Sequence, residues 1–297
     1  MKNRRLISMT MAAVMVGGLA ACGSSGSAAA TTAAATTAAA TEAATTAAAT
    51  EAAKETTAGA TEAAGAEGGS FIVGFDQEFP PMGFVGDDGQ YTGFDLDLAK
   101  EVASRLSLTY VPQPINWDAK DMELESGNID CIWNGFTMQG REDDYTWVGP
   151  YMANNQVFVV NEDSDVQTPA DLAGKAVEVQ KDSSGLDALN DNTALSSTFG
   201  SVVEVADYNT ALMDLEAGAC DAVCMDSIVA GYQITSSGKK MRILDETLSA
   251  EEYGIGFKKG NDELAGKVKD ALMEMQSDGT VEKISNEWFG SNVFTLK

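Results

Sequence analysis

The stretch Met122-Glu123-Leu124-Glu125-Ser126-Gly127-Asn128-Ile129-Asp130-Cys131-Ile132 recurs further along the chain as Met213-Asp214-Leu215-Glu216-Ala217-Gly218-Ala219-Cys220-Asp221-Ala222-Val223. Met, Leu, Glu, Gly and Asp coincide, and most of the remaining positions match in kind. Each copy reads as the last turn of a helix, a Gly that closes it in a left-handed conformation, and then a buried strand. A chain that repeats such a unit is expected to be an α/β protein of two similar halves. The first strand runs on to Gly135 and Thr137 and the second to Asp226. Ligands of open α/β sheets sit beyond the carboxyl ends of strands, so these two ends are expected to face one crevice.

The starts of the halves agree as well. Phe71-Ile72-Val73-Gly74-Phe75 is a strand that ends at Asp76, and Ala176-Val177-Glu178-Val179 is a strand that ends at Gln180. After the second, Ser183 and Ser184 precede a helix around Leu186 to Leu189, where hydroxyls and free N–H groups gather at a positive helix end. Gly93-Phe94-Asp95 opens an amphipathic helix with Leu98, Ala99, Val102 and Leu106 on its inner face. Thr168-Pro169 carries the cap-then-proline signal of another short helix.

Chemistry concentrates behind Ile129, Cys131, Ile132 and Trp133, an apolar run that reads as a short strand. Gly135 is expected to end it with an exposed amide. That N–H, the Thr137 hydroxyl and the Arg141 guanidinium form a donor-only cluster suited to a carboxylate, which a planar guanidinium binds through two parallel hydrogen bonds. The alternative is an ordinary loop whose Arg pairs with Glu142, Asp143 or Asp144 on the surface.

Composition narrows the field. The net charge is −26, and loss of Lys2, Arg4 and Arg5 with a leader would make it more negative still. Such a surface excludes nucleic acid and anionic lipid as partners. There is no His, which removes the commonest general base and metal ligand. Cys131, Cys220 and Cys224 lack the paired spacing of a metal site and read as small buried apolar residues, the last two within one strand. Neither a cofactor nor a metal is expected.

At the N-terminus, Lys2, Arg4 and Arg5 precede an apolar run from Leu6 to Leu19, the pattern of a secretory signal and short for a membrane span. Leu19-Ala20-Ala21-Cys22 resembles a bacterial lipobox, in which Cys22 is lipid-modified and becomes the first mature residue. An ordinary signal followed by an incidental Cys is the alternative. From Ser24 to about Gly69 the chain is almost wholly Ala and Thr, which reads as a solvated stalk without a core.

Gly93-Phe94-Asp95-Leu96-Asp97-Leu98, the Gly135-Phe136-Thr137 turn with Arg141 and Pro150-Tyr151 behind it, Tyr253-Gly254-Ile255-Gly256-Phe257, and Asn286-Glu287-Trp288-Phe289-Gly290 together resemble the amino-acid-binding lipoproteins of bacterial ABC transporters. The likeness, to the polar amino acid group, covers nearly all of residues 70–290. It implies a type II periplasmic-binding-protein fold, two α/β lobes joined by a two-segment hinge. The implied organisation is a lipoprotein signal over 1–22, a linker over 23–69, lobe 1 from 70–157 and 254–297, and lobe 2 from 158–253. By the same resemblance Arg141 with Thr137 holds an α-carboxylate, assisted by Ser183 and Ser184, beside the Gly135 N–H of the donor cluster. Asp226 accepts from the α-ammonium, Asp76 lines the ligand, and Phe79 and Trp117 clasp its side chain. Family members usually place the Arg five residues after the Thr, whereas the interval here is four. The resemblance further implies a lipid-anchored monomer outside the cytoplasmic membrane that delivers a polar amino acid to a membrane permease. Glutamine, arginine, lysine and cystine stay open as ligands. Two other readings also stay open: a dehydratase of a cyclic carboxylic acid using Asp76 and Glu78, and a sensing or adhesive surface module.

Overall fold

The computed structural model describes residues 68–297; the signal, Cys22 and nearly all of the linker lie outside the described residues. The chain begins with β1 (Ser70–Phe75), a small antiparallel sheet of β2 (Glu78–Phe79), β3 (Gly83–Val85) and β4 (Tyr91–Thr92), and α1 (Phe94–Arg105). There follow β5 (Thr109–Pro114), α2 (Lys120–Ser126), β6 (Cys131–Thr137) and the long β7 (Tyr145–Asn161). Next come β8 (Ala176–Gln180), α3 (Ser184–Asp191), α4 (Thr193–Ser196), β9 (Ser201–Val205), α5 (Tyr208–Ala217) and β10 (Ala222–Asp226). The chain closes with α6 (Ser227–Ser237), β11 (Met241–Ile243), β12 (Ser249–Lys258), α7 (Asp262–Ser277) and α8 (Thr280–Phe289).

Among the described residues the main sheet runs β5-β1-β6-β12-β7-β10-β8-β9, with β11 also on β7. Its two flanks are parallel and built alike: β5 and β6 pair β1 in parallel on one side, and β9 and β10 pair β8 in parallel on the other. Only β7 and β12 connect them. They run antiparallel to each other from Gln156 opposite Ser249 to Tyr145 opposite Lys258, so these two strands carry the sheet from one flank to the other.

The sequence repeat has the expected physical meaning. Helix α2 ends at Gly127 with φ 77° and α5 at Gly218 with φ 74°, a left-handed turn that costs glycine little and aims each chain into β6 or β10. Helix α1 buries Leu98, Ala99 and Val102 as expected, with Leu106 half-buried at its end. The Thr168-Pro169 signal opens a 3-10 turn over Pro169–Leu172, where Thr168 and Asp171 cap each other reciprocally. Cys131, Cys220 and Cys224 are free and buried. Cys220 precedes β10 instead of sharing it with Cys224, because the turn after Gly218 takes more of the chain than the pattern suggested.

Candidate functional site

Gly135 does not end its strand. Strand β6 continues through it to Thr137, with Gly135 at φ 58°. Its amide is not exposed either: it donates to the buried Asp95 Oδ2 at 2.7 Å, which also accepts from Tyr151 Oη at 2.8 Å. The expected use of this N–H for a carboxylate is therefore corrected, since a carboxylate of the chain already holds it. What Gly135 supplies is clearance. A Cβ there would lie 3.0 Å from the Phe79 ring and 3.1 Å from that of Tyr253.

Thr137 and Arg141 follow at the mouth of β6. Thr137 Oγ1 donates to Ser184 Oγ at 3.1 Å, and Arg141 sits in the tight turn where its N–H reaches the Met138 carbonyl at 3.0 Å. The guanidinium lies over the Phe136 ring at 5.5 Å, and its Nη1 reaches back to the Thr137 carbonyl at 3.4 Å. Nη2 donates to Asp187 at 2.7 Å. Glu142, Asp143 and Asp144, the surface partners that local sequence suggested, are not its acceptors; the carboxylate comes from α3 on the opposite flank. The four-residue interval still brings Thr137 and Arg141 to one cavity.

From the other flank, Ser183 caps α3. Its hydroxyl accepts from Leu186 N at 3.2 Å and donates to the Gln180 carbonyl at 2.7 Å. At the end of β8, Gln180 Nε2 donates to Asp76 Oδ2 at 2.6 Å, joining the ends of the two strands that start the halves. Burial pushes the Asp76 carboxyl up to about 6, against the lowering effect of hydrogen bonds from Glu78 N and Gln180. Asp226, at the end of β10, is buried, and its Oδ1 accepts from Asn154 Nδ2 and Tyr253 Oη at 2.7 Å each. Burial first, and then the negative charge of Glu251, hold its carboxyl well above the usual range.

These side chains meet in one cavity lined by Phe79, Trp117, Gly135, Thr137, Arg141, Gln180, Ser183, Ser184 and Asp226, with a volume of about 10 Å³. Of the expected site residues other than Cys22, only Asp76 stands outside the lining, one hydrogen bond away through Gln180. Phe79 packs on Tyr208 and Trp117 stands edge-on to Phe136, with Lys120 Nζ 5.3 Å above the Trp117 ring. Polar contacts tie the flanks together around the cavity: Lys120 to Asp182, Lys181 to Asp118, Asn209 to Glu78, and Arg141 to Asp187. Sequence reasoning missed Gln180, although the matched first strands of the two halves placed it at the end equivalent to Asp76. It also missed Lys120, Asn154, Gln156 and Glu251, for which only the alternation of Asn154 and Gln156 along β7 gave any signal.

Most of the described chain resembles known proteins. Residues 71–291 match the family model described as bacterial extracellular solute-binding proteins, family 3. The L-cystine-binding protein TcyJ of Escherichia coli (strain K12) is 32% identical over 233 residues, covering 76% of this chain and 85% of that protein. A substrate-binding protein of an ABC uptake transporter from Streptococcus pneumoniae, solved with bound histidine, superimposes with a TM-score of 0.74 at 34% identity, covering 76% of this chain and 94% of that one. Tv2483, solved with L-arginine, superimposes at 0.72 and 29% identity, covering 76% and 92%. The chain belongs to the bacterial extracellular solute-binding proteins, family 3. It has the type II periplasmic-binding-protein fold, two α/β lobes joined by a two-segment hinge, and it is a solute-binding protein working outside the cytoplasm, not an enzyme. The dehydratase reading of Asp76 and Glu78 therefore falls. Among the described residues no helix is long and apolar enough to cross a membrane.

Proposed function

We propose that this protein captures one free polar amino acid between its lobes and presents it to the permease of an ABC importer, tethered to the membrane through a lipid on Cys22. The observation that carries the reading is the single cavity in which donors from one flank, Thr137 and Arg141, meet a buried acid from the other, Asp226. A zwitterion needs both ends satisfied, because an unpaired buried charge costs several kcal/mol, on the order of 3 or more. Arg141 and Thr137 take the α-carboxylate with Ser183, Ser184 and the N-terminus of α3, Asp226 takes the ammonium, and Phe79 and Trp117 flank the side chain.

A cavity of about 10 Å³ has room for about one water, whereas sites for small organic ligands run to about 300 Å³ or more. Ligand entry therefore requires the lobes to part. We place the division where β7 and β12 cross, with 70–157 and 254–297 in one lobe and 158–253 in the other. Opening breaks the pairs of Lys120 with Asp182, Lys181 with Asp118 and Arg141 with Asp187; the ligand's two charges restore what opening lost.

Trp117, which lines the cleft, also lines a separate cavity of about 750 Å³ that carries Asp76, Glu78, Asp118, Glu204 and Asp207, with Lys181 as the one cation of its lining. That sign of charge favours a basic or large neutral polar side chain over an acidic one. Relatives named for cystine and histidine and a structure holding arginine fit the same preference. A thermal-shift screen over the amino acids tests the reading. A ligand at 100 to 1,000 times its dissociation constant should add about 2.7 to 4.1 kcal/mol to stability. The expected result is a shift with arginine, lysine, histidine, glutamine or cystine and none with aspartate or glutamate; no shift with any amino acid would sink the reading.

Asp187 competes for the guanidinium with the ligand's carboxylate. It is largely exposed, so its pair with Arg141 is worth at most about 1 kcal/mol. Asp187→Ala should accordingly tighten ligand binding by about two- to fivefold in calorimetry. Weaker binding would mean that Asp187 supports the liganded state.

A further inference from the structure

Beneath the cleft, a run of buried polar side chains ends on two acids. Thr137 Oγ1 donates to Ser184 Oγ, which also accepts from Gln156 Nε2 at 3.0 Å. The same Gln156 Nε2 reaches Glu251 Oε1 at 3.0 Å, and Asn154 Nδ2 joins Glu251 Oε1 at 2.6 Å to Asp226 Oδ1 at 2.7 Å. Asn154 and Gln156 stand on β7, and Glu251 stands opposite Asn154 on β12, so the run lies on the two strands that join the lobes. Glu251 and Asp226 are 6% and 3% exposed.

No cation among the described residues bonds to either acid. The groups facing the pair are Tyr253 from β12, Tyr208 from α5, Cys224 from β10, and the neutral Asn154, Gln156 and Ser184. The groove that Glu251 borders also carries Lys120, Arg141, Asp121, Asp144, Asp182, Asp187 and Asp191. Its two cations are already engaged, Lys120 with Asp182 and Arg141 with Asp187. A buried carboxylate bridged by one amide to a second one ionises only at a cost when no counter-charge is near, so Asp226 holds its proton more tightly beside Glu251.

We infer that Glu251 is a positioning residue for the ligand's ammonium: its charge, one amide away, holds a proton on Asp226 until the ammonium arrives there, and that proton then leaves to solvent. This rests on the reading of Asp226 as the ammonium acceptor. The charge balance supports it. Before binding, the pair holds one proton and one negative charge; afterwards it holds two negative charges against the ammonium. The net charge buried there is minus one in both states, so the ligand's cation replaces a proton and adds no uncompensated charge. An Asn or Gln in place of Glu251 would serve as well to orient Asn154, but would bring no charge to hold a proton on Asp226.

The test is calorimetry with L-arginine, L-histidine and L-cystine in buffers of differing ionisation enthalpy, between about pH 5 and about pH 9. Wild-type protein should release up to one proton per ligand bound, and its affinity should rise by up to about tenfold per pH unit through the window of release. Glu251→Gln, which keeps size and hydrogen bonding, should still bind, with its proton release and pH dependence moved to lower pH, because burial alone then raises the Asp226 carboxyl. Circular dichroism and the melting temperature of the variant verify its fold, and the wild-type pH profile stands without it. Proton release from Glu251→Gln equal to that of wild type at every pH, or a wild-type affinity flat with pH, would overturn the inference while leaving the amino acid reading intact. No binding of any amino acid by wild type would overturn both.

Discussion

Arg141→Ala is expected to weaken amino acid binding at least a hundredfold, about 3 kcal/mol or more, while leaving the protein folded. The loss is large because the residue offers two parallel donors in a closed site from which water is excluded, and no other cation lines that cavity. A carboxylate left there with only hydroxyls and helix-end N–H groups would keep much of its desolvation penalty. Folding should hardly notice. The guanidinium bonds to the largely exposed Asp187 and lies over Phe136, and such a pair is worth at most about 1 kcal/mol. The two effects are separable by calorimetry of binding and urea unfolding of the free variant. Affinity within about threefold of wild type would place the carboxylate elsewhere. A large fall in the urea midpoint would show that Arg141 belongs to the fold more than to the ligand.

The residues that could be read from sequence are those fixed by local pattern. Gly127 and Gly218 announce helix ends because only glycine enters a left-handed turn cheaply, and the strands behind them deliver Thr137 and Asp226 to the same crevice. The strands that start the two halves also placed Gln180 at the end equivalent to Asp76, a relation that becomes a 2.6 Å hydrogen bond in the structure. What stayed hidden are pairings over long stretches of chain. Arg141 finds Asp187, 46 positions away, and the Gly135 amide is taken by Asp95, 40 positions away. Local composition around Arg141 offers three nearer acids, so no local rule selects the fourth. Glu251 lies in a run whose neighbours Glu252 and Ser249 are as polar as itself; only pairing of β12 with β7 turns one of them inward. The lobe-spanning length of β7 was obscured for a similar reason, since Pro150 breaks the strand pattern that its 17 residues otherwise follow.

Lowering the pH from about 7.5 to about 4.5 is expected to stabilise this protein by a few kcal/mol, and Asp95→Asn to remove a large part of that gain. Asp95 is fully buried at the start of α1, its Oδ2 held by Gly135 N and Tyr151 Oη while its Oδ1 has no hydrogen-bond partner. Burial pushes its carboxyl up to about 7, and burial also raises Asp76 to about 6 and Asp226 well above its usual range. At intermediate pH the folded chain holds protons that the unfolded chain has lost. The stability these acids contribute is therefore complete below the ordinary carboxylate range and is lost as the pH rises through about 6 to 7. Each pH unit between the folded and unfolded titrations is worth about 1.4 kcal/mol, so Asp95 alone accounts for a few kcal/mol. Opposing groups are Asp278, held at about 2 by Thr280 and Arg105, and Asp118, Asp171 and Glu263, held below the usual carboxylate range by their hydrogen bonds; what they contribute is lost only as the pH falls below that range. Relief of repulsion in a chain of net charge −26 acts in the same direction as Asp95, which is why the variant is needed. Asparagine keeps an acceptor for Gly135 and Tyr151 but cannot titrate, so it isolates the buried acid from the surface charge. Urea midpoints of both proteins at the two pH values measure the difference. A wild type more stable at the higher pH, or a variant with the full wild-type difference, would show that Asp95 stays ionised in the core and that surface repulsion alone sets the profile.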